Sequence, residues 1–229
     1  MRLPWHRREA DGYEREKTEL RRAYPTLHFF PGNNQVTIRG GFPVTLNDLV
    51  LDRYQIEIIV PAAYPTSIPE VREIGGRIPR IADRHIGPDS GNACLFVEEE
   101  TSVYFPPGST LLQFLQGPVN CFFVGQLFFE EFGTWPFNER SHGWKGIVEF
   151  YSEKLGTSDL KKILAYVDCL RRPVVKGHWD CPCGSGKRLR YCHFEQINKL
   201  RSMISSEIAQ RSFDRLEHAV AHAHGTSST

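Results

Sequence analysis

The chain has 229 residues, of which 40% are hydrophobic and 24% are charged, and its formal net charge is +1 at pH 7. These values are ordinary for a soluble globular protein, and so small a charge gives no general case for binding nucleic acid or membranes. No apolar run approaches the ~20 residues that cross a bilayer, and the first residues lack the apolar segment of a secretory signal. We therefore expect a cytoplasmic protein, whose six cysteines are reduced thiols.

The first part of the chain predicts an α+β domain. The segment DGYEREKTELRRAYP has the charge spacing of an exposed amphipathic helix. The strand-like segments TLHFF, QVTIRG and GFPVTL follow, and then RYQIEIIV, in which Tyr54, Ile56, Ile58 and Val60 alternate onto one face. The prolines of PAAYPTSIPEVREI favour a turn that leads into a short edge strand. A helix followed by an antiparallel meander is typical of the α+β class.

Residues 75–108 contain little regular structure, and long irregular loops in compact domains are often functional. This stretch includes Cys94 and the acidic run Glu98–Glu100, which we expect to be solvated. A helix then begins at STLLQFLQ, with Ser109 or Thr110 as its N-cap. We expect Gly117-Pro118 to break it before a second helix that is apolar nearly all round.

The second part of the chain is predicted to be helical around a cysteine-rich module. Helices are expected at IVEFYSEKLG and at TSDLKKILAYVDCLRR, where Thr157 or Ser158 would be the N-cap. Cys169 of the second helix and Cys121 of the earlier apolar helix are predicted to be small hydrophobic residues in the core or flanking it. We predict a conjugating-type domain at 1–150, a helical extension at 151–176, and a zinc module with a single terminal helix at 177–224.

The stretch CPCGSGKRLRYCH carries the sharpest signal in the chain. Cys181, Cys183, Cys192 and His193 supply four N/S ligands within thirteen residues, which suits one tetrahedral zinc ion. The stretch resembles the SEC-C motif, a small zinc module found at the C-terminus of the SecA translocase and in many other bacterial proteins, and all four ligand positions match. With four protein ligands, the zinc is expected to be structural.

Basic residues surround this module, and they offer either a docking surface or simply a solvated face. They are Arg171, Arg172, Lys176, Lys187, Arg188 and Arg190. The SEC-C resemblance implies protein or ribosomal partners for such a surface.

The context of Cys94 resembles that of ubiquitin-conjugating (UBC) enzymes. In that family a Tyr-Pro…Pro turn precedes a His-Pro-Asn triplet, and the catalytic cysteine follows about ten residues later. Here Tyr64-Pro65 and Pro69 match the turn, His85 lies nine residues before Cys94, and Gly91 matches the glycine of the cysteine context. The resemblance implies a UBC fold, in which an N-terminal helix precedes a four-stranded meander, an active-site loop and C-terminal helices. It also implies that Cys94 carries a protein C-terminal glycine as a thioester and passes it to a lysine.

One family residue is missing, because the triplet reads His85-Ile86-Gly87. The family's asparagine is thought to stabilise the oxyanion, so another donor is needed. Asn92, the loop N–H groups and His142 are the candidates, while the resemblance gives His85 a bracing role in the loop.

The later segment GTWPFNERSHGWKG looks like the bacterial branch of the family, from CBASS antiphage systems. The partner that this resemblance implies is a cGAS-like nucleotidyltransferase. The chain has no nucleotide-binding loop, so it must receive an acyl group that has already been activated. Two further interpretations stay open: an inactive UBC-like interaction module, and a ribosome- or translocase-associated SEC-C protein.

Overall fold

The computed structural model describes residues 3–136, 140–141 and 143–225. Of these, residues 3–96 and 104–136 form one compact unit, and residues 97–103, 140–141 and 143–225 form a second. The division differs from the expected boundary at residue 150, and it places the segments predicted as a helical extension and as a zinc module in the same unit. No helix in the described part of the chain is long and apolar enough to span a membrane.

The first unit begins with the helices α1 (Trp5–Arg8) and α2 (Ala10–Ala23). Within the described ranges, four strands then form one antiparallel sheet in the order β1-β2-β3-β4. These strands are β1 (Leu27–Pro31), β2 (Gln35–Leu46), β3 (Leu49–Pro61) and β4 (Glu70–Glu73). The predicted meander and the α+β class are therefore confirmed, with β4 as a short edge strand.

The core of the first unit lies on one face of this sheet. Tyr54, Ile56, Ile58 and Val60 of β3 are all buried, as their alternation predicted. The helix α5 (Asn120–Phe132) packs over them, and its Phe123 ring lies 4.7 Å from the ring of Tyr54. Aromatic contacts of this kind join the helix and the sheet in one core.

The helix before α5 is continuous with it, so the break expected at Gly117-Pro118 is wrong. Helix α4 (Leu111–Phe114) has Thr110 as its N-cap, with the reciprocal bonds of a capping box, which confirms one of the two predicted caps. The chain then forms a π-helical segment, Leu115–Val119, that runs directly into α5. A π turn widens the helix locally, which accommodates a proline ring and its missing N–H without ending the helix.

Helix α5 is not enclosed on every side, although its composition is apolar nearly all round. Phe123 and Gln126 are fully buried, whereas Phe128 and Phe132 are exposed within the first unit. Cys121 is also exposed, so of its two predicted places, in the core or flanking it, the core is excluded. The helix packs on the sheet along only one face, and Cys121 lies off that face.

The second unit contains the helices α6 (Trp144–Leu155), α7 (Leu160–Arg171), α8 (Phe194–Met203) and α9 (Ser206–Gly225). Cys169 of α7 is buried, as predicted. The N-cap of α7 is Asp159 rather than Thr157 or Ser158, because its carboxylate accepts the N–H groups of the first turn. The terminal segment forms two helices rather than one, because Ile204 is extended and buried between α8 and α9.

The acidic run is part of this second unit. Glu98–Glu100 forms a 3-10 turn that is followed by the short helix α3 (Thr101–Tyr104). Glu99 is only 2% exposed, and its Oε1 accepts a hydrogen bond of 2.6 Å from the Ser212 hydroxyl of α9. Its two neighbours pair with Arg211 and Arg140. The expectation of a solvated acidic loop is therefore wrong, since the run is bonded to its own unit.

Candidate functional site

The segment 85–96, which we call the cysteine loop, is a small hydrogen-bonded hairpin. Ile86 and Ala93 form an antiparallel bridge. Between them the Gly87 N–H donates to the Asn92 carbonyl at 2.9 Å, and the Gly91 N–H donates to the Gly87 carbonyl at 2.8 Å. Gly91 has φ +69°, a left-handed conformation that glycine adopts without strain. The loop is thus irregular in secondary structure but closely bonded internally.

His85 supports Cys94 through its main chain. Its carbonyl accepts the Cys94 N–H at 2.8 Å. The residue has φ +49° and ψ +38°, which is uncommon for a residue other than glycine. The imidazole packs edge-on against Trp135, with 4.6 Å between the ring centroids. The main-chain bond thus holds Cys94 to the residue for which the resemblance predicts a bracing role.

Asn92 lies at the end of a row of polar side chains that crosses the sheet, which we call the polar row. Arg39, Glu57, Arg72 and Asn92 are successive cross-strand neighbours on β2, β3, β4 and the cysteine loop. Glu57 pairs with both arginines, and the Arg72 Nε donates to the Asn92 Oδ1 at 2.7 Å. This bond fixes the Asn92 amide so that its Nδ2 donors point away from Arg72.

Asn92 and Cys94 are two residues apart in an extended segment, so their side chains lie on the same side of it. Ala93, between them, packs against the core of the first unit. The structure therefore places Asn92 and Cys94 on one side of the loop, and the Cys94 N–H is bonded to the main chain of His85. His142, the fourth predicted site residue, lies outside the described residues.

The main-chain N–H groups from Gly91 to Cys94 are already used. Those of Gly91, Asn92, Ala93 and Cys94 all donate within the loop or to its neighbours. Their acceptors are the carbonyls of Gly87, Val71 and His85 and the hydroxyl of Ser90. These four groups are therefore excluded as the oxyanion donors considered above. In the described structure the N–H of Leu95 donates to no protein acceptor, so the next main-chain candidate is the one after Cys94.

The Cys94 thiol is exposed, but nearby protein atoms displace part of its water. This desolvation raises the pKa of the Cys94 thiol above its ordinary value. The thiol rather than the thiolate therefore predominates at neutral pH. Cys121 is also exposed, and desolvation likewise raises the pKa of its thiol, so it is an internal reference for the reactivity of Cys94.

A second candidate site lies in the second unit. Among the described residues, the ligand atoms of Cys181, Cys183, Cys192 and His193 all lie within 4.8 Å of one another. The Sγ atoms of Cys183 and Cys192 are 3.6 Å apart, and the Nδ1 of His193 is 3.2 Å from the Sγ atoms of Cys181 and Cys192. A tetrahedral zinc site with ordinary bond lengths has ligand separations of roughly 3.4–3.8 Å. The four residues are therefore close enough to bind a metal ion.

The main chain forms this cluster as a short hairpin. The Cys181 N–H donates to the Lys187 carbonyl at 2.9 Å, and the Leu189 N–H donates to the Trp179 carbonyl at 2.8 Å. Gly184 has φ +78° at the turn between the two ligand pairs, a left-handed conformation that glycine adopts without strain. Leu189 is fully buried, and the hairpin otherwise contributes little apolar core of its own.

The basic residues near the cluster are partly neutralised. Arg171 and Arg172 both pair with Asp168 at 2.6 Å, and Arg188 pairs with Asp180 at 2.8 Å. An open groove of about 500 Å³ lies between α7 and the metal hairpin, with Arg172 and Arg188 among its lining residues. Because these arginines retain donors beyond their ion pairs, the groove keeps some capacity to bind polar groups.

Sequence reasoning missed the residues that support the cysteine loop from elsewhere in the chain. Arg72 of β4 and the pair Arg84 and Gln126 are the clearest examples. The partners of Arg84 and Arg72 lie 42 and 20 residues away along the chain, and no local pattern marks such pairs.

No family model, curated protein or solved structure was found to match this chain.

Proposed function

We propose that the first unit is a ubiquitin-conjugating-type acyltransferase domain. In this proposal Cys94 carries a protein C-terminal glycine as a thioester and transfers it to a lysine amine. The observation that carries the proposal is an exposed cysteine in a hydrogen-bonded loop beside a four-stranded meander. This is also the place in the chain where the UBC resemblance puts the nucleophile. The target that the resemblance suggests is a cGAS-like nucleotidyltransferase of an antiphage system.

The first step is exchange between two thioesters. The Cys94 thiolate attacks the carbonyl carbon of a glycine thioester on an activating partner protein. A new C–S bond forms at Cys94, the donor C–S bond breaks, and the released thiolate takes up the proton that Cys94 lost. The raised pKa lowers the thiolate fraction, but a more basic thiolate is also a stronger nucleophile.

The second step is aminolysis. The lysine nitrogen attacks the same carbonyl carbon, a C–N bond forms, and the C–S bond to Cys94 breaks. The departing thiolate accepts the proton that the amine gives up, so Cys94 returns to its starting state. A basic thiolate is a poor leaving group, so the loaded form is expected to wait for a positioned amine rather than discharge freely.

Both steps pass through a negatively charged tetrahedral intermediate, which needs a hydrogen-bond donor. We assign this role to the Nδ2 of Asn92. Because Oδ1 accepts the bond from Arg72, the NH2 group of the side-chain amide is available as a donor. Asn92 would replace the asparagine that is missing from the His-Pro-Asn position.

For the second unit we propose that the metal is zinc and that its role is structural. Three thiolates and an imidazole are a soft donor set that suits zinc, and they leave no open position for a substrate. Bound zinc supplies cross-links that order the hairpin, and Cys181, Cys183, Cys192 and His193 would hold it. Elemental analysis of the purified protein should give about one zinc per chain, and Cys183→Ser should lower this value. Stoichiometric iron in place of zinc would contradict the assignment.

The acyltransferase proposal can be tested with a defined donor. The probe is a decapeptide that ends in glycine, activated as its mercaptoethanesulfonate thioester. Intact-mass and peptide-level mass spectrometry should show a hydroxylamine-sensitive peptide adduct on Cys94 that forms at least tenfold faster than any adduct on Cys121. Adding n-butylamine should release the peptide as its butylamide. Equal acylation of the two exposed cysteines would contradict the proposal.

The second candidate is a protein-interaction module without conjugating activity. The raised pKa of Cys94 and the open groove beside the metal hairpin favour it. It predicts that Cys94→Ala leaves phage protection intact in cells, whereas Cys181→Ser or Cys192→Ser abolishes it. The acyltransferase predicts loss of protection with Cys94→Ala, so this one substitution separates the two functions.

A further inference from the structure

We propose that Arg84 and Gln126 form a clamp that positions Cys94 and is a second support for the nucleophile beside the polar row. The proposal rests on the proposed acyltransferase function for its biological meaning. The geometry itself does not depend on any acyl donor or acyl acceptor. It concerns two hydrogen bonds, one from Gln126 of α5 to the Arg84 carbonyl and one from the Cys94 N–H to the His85 carbonyl, which the main chain of His85 connects.

The clamp is reciprocal and buried. The Arg84 Nε donates to the Gln126 Oε1 at 2.8 Å, and the Gln126 Nε2 donates back to the Arg84 main-chain carbonyl at 2.6 Å. Arg84 is 8% exposed and Gln126 is fully buried. One side chain of α5 thus holds both the guanidinium and the peptide group of Arg84. Two bonds to one residue restrict its rotation far more than a single bond does.

Further contacts hold the same residues in place. The Arg84 guanidinium lies over the Phe129 ring, 4.8 Å from its centroid, and its Nη2 is 3.3 Å from the Glu130 Oε1. Trp135 donates its indole N–H to the Asp83 carbonyl at 2.9 Å. The chain before the cysteine loop is therefore fixed to α5 and to the segment that follows α5.

The link to Cys94 passes through the main chain of one residue, His85. The carbonyl of the Arg84–His85 peptide accepts from Gln126, and the next carbonyl, that of His85, accepts from the Cys94 N–H. His85 is held at φ +49°, a conformation that must be imposed by its surroundings because it is strained for a residue with a side chain. Main-chain bonds from the His85 and Ile86 N–H groups close this turn, and the clamp fixes the Arg84 carbonyl that begins it. Arg84 and Gln126 are thus positioning residues, since neither contacts the reacting atoms.

The direct test is amide exchange at Cys94. Protein labelled with ¹⁵N only in cysteine gives few amide signals, and the Cys94 signal is identified by its loss in Cys94→Ser. Gln126→Glu keeps an acceptor for the Arg84 guanidinium but removes the donor to the Arg84 carbonyl. We expect Cys94 amide exchange to become about tenfold faster or more. Cys181, whose N–H is bonded in the second unit, is the internal reference and should not change.

Gln116→Glu is the matched control, because Gln116 is exposed in the helical segment just before α5 and undergoes the same chemical change. It should leave Cys94 exchange as in the wild type. In a Cys121→Ser background, the rate of Cys94 alkylation by iodoacetamide should also change several-fold in Gln126→Glu and not in Gln116→Glu. These measurements use no acyl donor, so a failure of peptide transfer would count against the acyltransferase and not against the clamp.

Unchanged Cys94 exchange in folded Gln126→Glu overturns the proposal. If that variant does not fold, Cys94 exchange is measured in Arg84→Lys instead. It keeps the positive charge and the main-chain carbonyl but loses the guanidinium Nε that bonds Gln126, so faster Cys94 exchange supports the clamp and wild-type exchange overturns it. An equal increase at Cys94 and at Cys121, the other cysteine of the first unit, indicates destabilisation of that unit, which also counts against a positioning role.

Discussion

The Asn92 amide is predicted to supply about two to three orders of magnitude in the rate of acyl transfer from Cys94. Removing one preorganised oxyanion donor from an active site typically costs a factor of 10² to 10³, or about 2.7–4 kcal/mol in the barrier. The structure supports the upper part of this range. The Asn92 amide is held by a 2.7 Å bond from Arg72, which is itself paired with Glu57, so little reorganisation is needed during the reaction.

Two substitutions at Asn92 separate donation from positioning. Asn92→Ala removes the donor and also the acceptor of the Arg72 bond. Asn92→Asp keeps an acceptor for Arg72, and strengthens it, but has no N–H to offer an oxyanion. If Asn92 acts by donation, both variants should be slowed by about 10² or more. If its side chain only anchors the loop to Arg72, Asn92→Asp should keep nearly full activity.

The assay follows discharge of the peptide thioester from Cys94 to n-butylamine under single-turnover conditions. Cys94 amide exchange, measured in the same variants, checks that the loop is still in place. Discharge of Asn92→Asp within threefold of the wild-type rate, with normal loop protection, would refute the oxyanion assignment. The Leu95 N–H would then be the next donor to examine, because it follows Cys94 directly and in the described structure donates to no protein acceptor.

Two further predictions concern the second unit and the thiol. Ser212→Ala should destabilise the second unit by about 2 kcal/mol, because it leaves the buried carboxylate of Glu99 without its hydrogen-bond donor. Hydrogen exchange of the α9 amides measures this loss of stability. The control Ser202→Ala, at an exposed serine, should change the exchange little. In a Cys121→Ser background, alkylation of Cys94 by iodoacetamide should keep accelerating above pH ~8.5, the ordinary thiol pKa, because desolvation raises the pKa of Cys94 and the thiolate is the reacting form. A plateau below pH 8 would contradict that direction.

The sheet could be predicted from the sequence because its signals are local. The alternation from Tyr54 to Val60 predicted the buried face of β3, and the prolines after it predicted the short edge strand. The metal cluster was equally accessible, since four ligands within thirteen residues need only a hairpin to meet. In both cases residues that are near each other in the chain determine the structure.

The failures arose where distant residues decide the outcome. Nothing near Glu99 in the sequence shows that Ser212, more than a hundred residues later, donates to it. Cys121 lies in an apolar helix, but which of its faces meets the sheet depends on the packing of β2 and β3. Gly117-Pro118 looked like a helix end because a π turn is rare, and no local pattern predicts one.

The same reasoning changes the interpretation of the cysteine loop. Its glycines and polar residues suggested free main-chain N–H groups that could stabilise an oxyanion, but those from Gly91 to Cys94 are all used to hold the loop in shape. Groups that hold a nucleophile in place cannot also bind the charge that develops beside it. Among the described residues directly beside Cys94, the donors left for chemistry are the side chain of Asn92, on the same side of the segment, and the N–H of Leu95, which follows the nucleophile. In this chain the missing asparagine of the triplet is a question about these two donors, and Asn92→Asp distinguishes them.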